Sequence, residues 1–104
     1  MARVLLVEDQ QALRSLLCRG LSHAGHNVLE TADLRVAFGL VGLYRADVVI
    51  TDVMLSGQDG IALLLAIRRS FPTLALIAIS GRDRDEDLSR LEVSGLRDTV
   101  WLLT

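Results

Sequence analysis

Val4-Leu5-Leu6-Val7-Glu8-Asp9 is a run of four apolar residues cut off by two carboxylates. A short, continuously apolar run of this kind reads as a strand buried on both faces, which is what a parallel sheet requires. The pattern returns at Val48-Val49-Ile50-Thr51-Asp52, and again from Leu74 to Ile79, which runs into Ser80-Gly81. The intervals have a different rhythm. Leu13, Leu16, Leu17 and Leu21 trace one helical face, ending near Gly25. Asn27 to Thr31 is a half-apolar strand candidate. Leu34, Ala37, Phe38 and Val41 give Leu34 to Leu43 a helical spacing, weakened by Gly39 and Gly42. The turn Ser56-Gly57-Gln58-Asp59-Gly60 leads into a helix from Ile61 to Ser70, which Pro72 separates from the next strand. The charged stretch Arg82 to Asp87 opens a helix through Leu88 and Leu91 towards Gly95, and Thr99 to Leu103 is a last strand.

Strand and helix therefore alternate four times before a fifth strand. The expected fold is α/β, a flavodoxin-like, doubly wound parallel sheet of five strands in the order 2-1-3-4-5, within one domain over residues 1–104. Composition agrees with one small globular unit. Of 104 residues 51% are apolar, 21 of them leucine, yet only 4% are aromatic. All 11 basic residues are arginine, set against 13 carboxylates for a net charge of −2. With a pI near 5.6, a basic nucleic-acid-binding face is not expected. The longest unbroken apolar run, Ile61 to Ile67, is far short of the ~20 residues that cross a bilayer, so no membrane partner is expected either. The N-terminus lacks a signal-peptide layout and the single cysteine, Cys18, has no intramolecular partner. Both suggest a reduced, cytoplasmic setting.

In a sheet of this kind functional atoms collect at the carboxyl ends of the strands. Glu8, Asp9, Asp52 and Ser80 all fall on that edge, at the ends of strands one, three and four. Strands one and three are neighbours in the expected order, ~4.8 Å apart, so three carboxylates share one crevice. Such crowding is unfavourable unless a carboxyl protonates or a cation binds. Mg²⁺ suits the site, being hard, oxygen-seeking and content with one or two carboxylates and several waters. A carboxylate beside that ion is a candidate phosphoryl acceptor, and Ser80 a candidate donor to a phosphoryl oxygen.

The segments Val4 to Asp9, Asp47 to Leu55, Asp59-Gly60 and Ile77 to Ser80 resemble, in order and spacing, the receiver domains of bacterial two-component response regulators. The resemblance covers nearly the whole chain. It implies that Asp52 is the phosphoacceptor, that Glu8 and Asp9 bind Mg²⁺ together with Asp52 and the Met54 backbone carbonyl, and that Ser80 is the hydroxyl switch. It also implies a partner carrying phosphohistidine, either a histidine kinase or a histidine phosphotransfer protein. No enzymatic activity is implied beyond Mg²⁺-dependent self-phosphorylation and autodephosphorylation.

Four departures from the family pattern stand out. Ser56 replaces the usual proline after the acceptor. The family's lysine at the end of strand five is absent: its place is Leu102 when counted from Ser80 and Gly95, or just beyond the chain if Thr99 to Thr104 is the full strand. The switch aromatic then falls at Thr99 or at Leu102, neither of them aromatic, with Trp101 adjacent in both cases. Receivers also close with a fifth helix beside the first, whereas this chain ends at Thr104. A helix burying ~400 Å² would contribute about 10 kcal/mol as an upper bound. The expectation is therefore a chain cut before that helix, with a homodimer as one consequence.

Milder readings accompany each residue. Glu8-Asp9 also suits a helix N-terminus, Asp59-Gly60 a turn and helix start, and Ser80 a simple turn. His23 and His26 flank a helix end, Cys18 packs in or near the core, and Arg82 or Arg84 is a candidate stand-in for the lysine. The nearest rival is a degenerate receiver, a protein-interaction module independent of phosphorylation. An aspartyl phosphatase would place a second Asp where Met54 stands, and a nucleotide-binding module would carry a glycine-rich loop after the first strand.

Overall fold

In a computed structural model of the chain, residues 1–55, 58–80 and 99–103 are described. The elements are β1 (Arg3–Val7), α1 (Gln11–His23), β2 (Asn27–Thr31), α2 (Leu34–Tyr44), β3 (Val48–Asp52), β4 (Met54–Leu55), β5 (Gln58–Asp59), α3 (Gly60–Ser70), β6 (Ala75–Ser80) and β7 (Thr99–Leu103). The helix expected from Arg82 towards Gly95, with Arg82 and Arg84, lies outside the described residues, as do Ser56 and Thr104.

The main sheet has the order β2-β1-β3-β6-β7 and every pairing in it is parallel. This is the expected 2-1-3-4-5 arrangement once the small β4–β5 hairpin is set aside. That hairpin is antiparallel, pairing Met54 with Asp59 and Leu55 with Gln58, and occupies part of the stretch read as a plain turn. In the sheet register Asp52 lies opposite Ile79, Ile79 opposite Leu102, and Ser80 opposite Leu103. Leu102 therefore shares a row with Asp52, two strands away.

Alternation along each strand builds two cores. Leu5, Val7, Val49, Leu76 and Ala78 face Ala37 and Val41 of α2 and Ile61, Leu64 and Ile67 of α3. Val4, Leu6, Ile50 and Ile79 face the other way, towards Leu17, Cys18 and Leu21 of α1. The two sides are unequal. α3 buries five residues, whereas α1 buries none completely.

Local chemistry sets the helix ends. Asp33 caps α2 by accepting from the Arg35 N–H, and Asp59 caps α3 by accepting from the Ile61 and Ala62 N–H groups. Of the two glycines in α2, a Cβ at Gly42 would stand 3.7 Å from the Phe71 ring, while one at Gly39 would enter open space. Arg45 closes α2 in the left-handed region at φ 56°. His23 lies in the last turn of α1, and His26 helps close that end through its main chain, its N–H donating to the Leu21 carbonyl at 3.1 Å, while its Nδ1 accepts from the Ala2 N–H at 3.0 Å.

Candidate functional site

β1 and β3 pair from Val4–Val48 to Val7–Thr51, so the residues that follow β1 and end β3 meet at one edge. There the carboxylate oxygens of Glu8, Asp9 and Asp52 come within 4.8 Å of one another. The backbone holds the end of β3 firmly. The Val53 N–H donates to the Ile79 carbonyl (3.1 Å), and the Val53 carbonyl accepts from the Gly60 N–H (3.0 Å). The Asp52 carbonyl accepts from the buried Thr51 hydroxyl at 3.0 Å. Gly60 packs so closely that a Cβ there would collide with the Asp52 carbonyl oxygen and stand 2.8 Å from the Val53 Cα. Asp59-Gly60 is thus a turn and helix start, and its glycine also fixes the main chain at Asp52 and Val53.

Glu8 is fully buried. Its Oε2 accepts from the Gln10 N–H at 3.1 Å, while its Oε1 is buried and receives no hydrogen bond. Burial pushes its carboxyl up to about 7. The Asp52 charge, and the Asp9 and Asp52 carboxylates within hydrogen-bonding reach, push the same way; the Gln10 N–H opposes them. A buried oxygen without a donor, beside two further carboxylates, is a donor set that fits a hard cation. These three residues are a group able to hold a metal. Glu8 and Asp9 precede α1 rather than cap it. The N-cap is Gln10, and its side chain makes no capping bond.

Of the other expected site residues, Met54 opens β4 and Ser80 ends β6. Thr99, Trp101 and Leu102 lie in β7. Cys18 packs against the α1-side core as expected. Two contributors carried no expected role at the site: Thr51, read only as a strand residue, and Arg14, which donates to the Glu8 carbonyl at 2.9 Å. The usable signal for Arg14 was a charge set between Leu13 and Leu17 on the apolar stripe of α1.

A family model for the response regulator receiver domain matches residues 4–101. The chain belongs to that family. This receiver domain is 35% identical over 100 residues to the transcriptional regulatory protein AfsQ1 of Streptomyces coelicolor, covering 96% of this chain and 44% of that protein. To the transcriptional regulatory protein TcrA of Mycobacterium tuberculosis it is 40% identical over 79 residues, covering 73% and 31%. It thus spans less than half the length of these curated relatives. Among solved structures, the chemotaxis protein CheY4 of Vibrio cholerae superposes with a TM-score of 0.87 at 26% identity, covering all of this chain and 87% of that one. The receiver domain is accordingly a module of two-component signalling. Among the described residues no helix is long and apolar enough to cross a membrane.

Proposed function

We propose that this receiver domain accepts a phosphoryl group on Asp52 from a phosphohistidine of a kinase or phosphotransfer partner in the cytoplasm. The observation that carries this reading is the convergence of Glu8, Asp9 and Asp52 around a buried Glu8 oxygen that has no donor. Glu8, Asp9, Asp52 and the Met54 carbonyl would hold Mg²⁺. Bound there, the ion would neutralise phosphoryl charge and favour in-line transfer. An Asp52 carboxylate oxygen forms the new P–O bond as the P–N bond to the partner's imidazole breaks, and the electron pair leaves on the imidazole nitrogen. Water later cleaves the acyl phosphate, returning the carboxylate and inorganic phosphate. Ser80, at the end of the neighbouring strand, would donate to a phosphoryl oxygen and carry the change to the β6–β7 face. The chain acts as its own phosphoacceptor, with no other substrate.

The test is incubation with MgCl₂ and acetyl phosphate, read by intact mass. The expected result is one added phosphoryl group on the parent and none on Asp52→Asn. An adduct that survives Asp52→Asn overturns the acceptor assignment. One observation favours a second reading, a degenerate receiver working as a protein-interaction module. The position level with Asp52 on β7 is Leu102, and no lysine occurs anywhere in the 104 residues. A parent that acquires no adduct under these conditions supports that second reading.

A further inference from the structure

We propose that Arg14 is a positioning residue for the acidic cluster, acting through the main chain of Glu8. The proposal rests on the reading of Glu8, Asp9 and Asp52 as a Mg²⁺ site. From the first turn of α1 the Arg14 guanidinium points two ways. Nη1 donates to the Glu8 carbonyl at 2.9 Å, and Nε donates to the Glu30 carboxylate at 3.2 Å. Glu30 belongs to β2, where it pairs with Leu6. The Glu8 N–H meanwhile donates to the Thr31 carbonyl at 3.0 Å. Both main-chain polar groups of Glu8 are therefore held by β2, one directly and the other through Arg14. Two residues further on, the Gln10 carbonyl accepts from the Arg14 N–H at 2.9 Å and starts the helix. The turn that aims Glu8 and Asp9 at Asp52 is clamped at each end.

The residue type suits the task. A guanidinium is one rigid planar fork that donates in two directions at once, whereas an ammonium is a point on a flexible stem. With its side chain only 17% exposed, Arg14 makes these bonds largely shielded from water. Its anchor is itself anchored. The Cys18 thiol and Arg14 both bond to Glu30, and the thiol contributes most to holding that carboxyl below its usual range.

Two roles for Arg14 predict opposite signs. A cation that acted only through its field would repel a divalent ion from the cluster, so its removal would tighten binding. A clamp pre-organises the ligands, so its removal weakens binding, typically by ten- to a hundredfold for groups that orient metal ligands. The experiment is calorimetric titration of the full chain with MgCl₂ alone, for the parent, Arg14→Met and Arg14→Lys, with thermal melts to establish folding. The expected result is at least about tenfold weaker binding for a folded Arg14→Met. Arg14→Lys, which keeps the charge but donates from a single nitrogen, falls between the two. Unchanged or tighter binding by folded Arg14→Met overturns the proposal and leaves the Mg²⁺ reading standing. If Arg14→Met does not fold, Arg14→Lys decides: a several-fold loss supports the clamp and an unchanged affinity overturns it. A parent that takes up no Mg²⁺ overturns the Mg²⁺ reading and this proposal with it.

Discussion

Glu8 carries a cost that its neighbours cannot remove. It is fully buried beside two other carboxylates, and its carboxyl lies near 7 rather than the usual 4.5. A carboxyl whose folded value is raised favours the protonated fold. Its contribution is fully present below about pH 4.5 and is lost as the pH climbs through 7. The loss is about 3 kcal/mol as an upper bound. Urea unfolding at pH 5 and pH 8 should therefore show the metal-free parent losing stability, and Glu8→Gln losing up to about that much less. Parallel pH profiles for the two proteins would sink this account. MgCl₂ at pH 8 should restore the parent, since a bound cation takes over the proton's role.

At the scale of elements, the helices and strands were legible because their periods differ. β2 and β7 span the expected residues, and the other described elements of the main sheet and its helices differ by a few residues at their ends. The β4–β5 hairpin was not legible, because two residues a side are too few for a period to show. Nor was the Arg14–Glu30 pair, sixteen residues apart in sequence, where each charge alone looks like solvated surface. The three carboxylates of the site were legible because they stop apolar runs. Gly60 shows the limit of such reading: Asp-Gly signals a turn, but the contact with the Asp52 carbonyl is long-range. Two glycine substitutions separate these roles. Gly60→Ala forces Cβ against backbone that cannot step aside, and should destabilise by about 1–3 kcal/mol or more. Gly39→Ala enters open space within α2 and should stabilise by about 0.5–1 kcal/mol. Equal and small effects in urea unfolding would mean that Gly60 does not fix the end of β3.

Among the described residues the sheet packs one face deeply against α2 and α3 and the other more lightly against α1, with the acidic site at the seam between two strands distant in sequence. β1 and β3 pair across a separation of 44 residues, with the parallel geometry that makes α/β domains slower to fold than helical ones. Until that pairing forms, Glu8 and Asp9 are far from Asp52 and do not repel it. The site is therefore also a kinetic feature. The step that joins β1 to β3 brings three like charges together, so repulsion falls on the folding barrier if that pairing belongs to the nucleus. A divalent cation would then act on the way in: in stopped-flow refolding at pH 8, MgCl₂ should raise the folding rate. An effect confined to slower unfolding would place the β1–β3 seam after the transition state. A crevice shaped to receive charge is, during folding, a gap that its own like charges hold open.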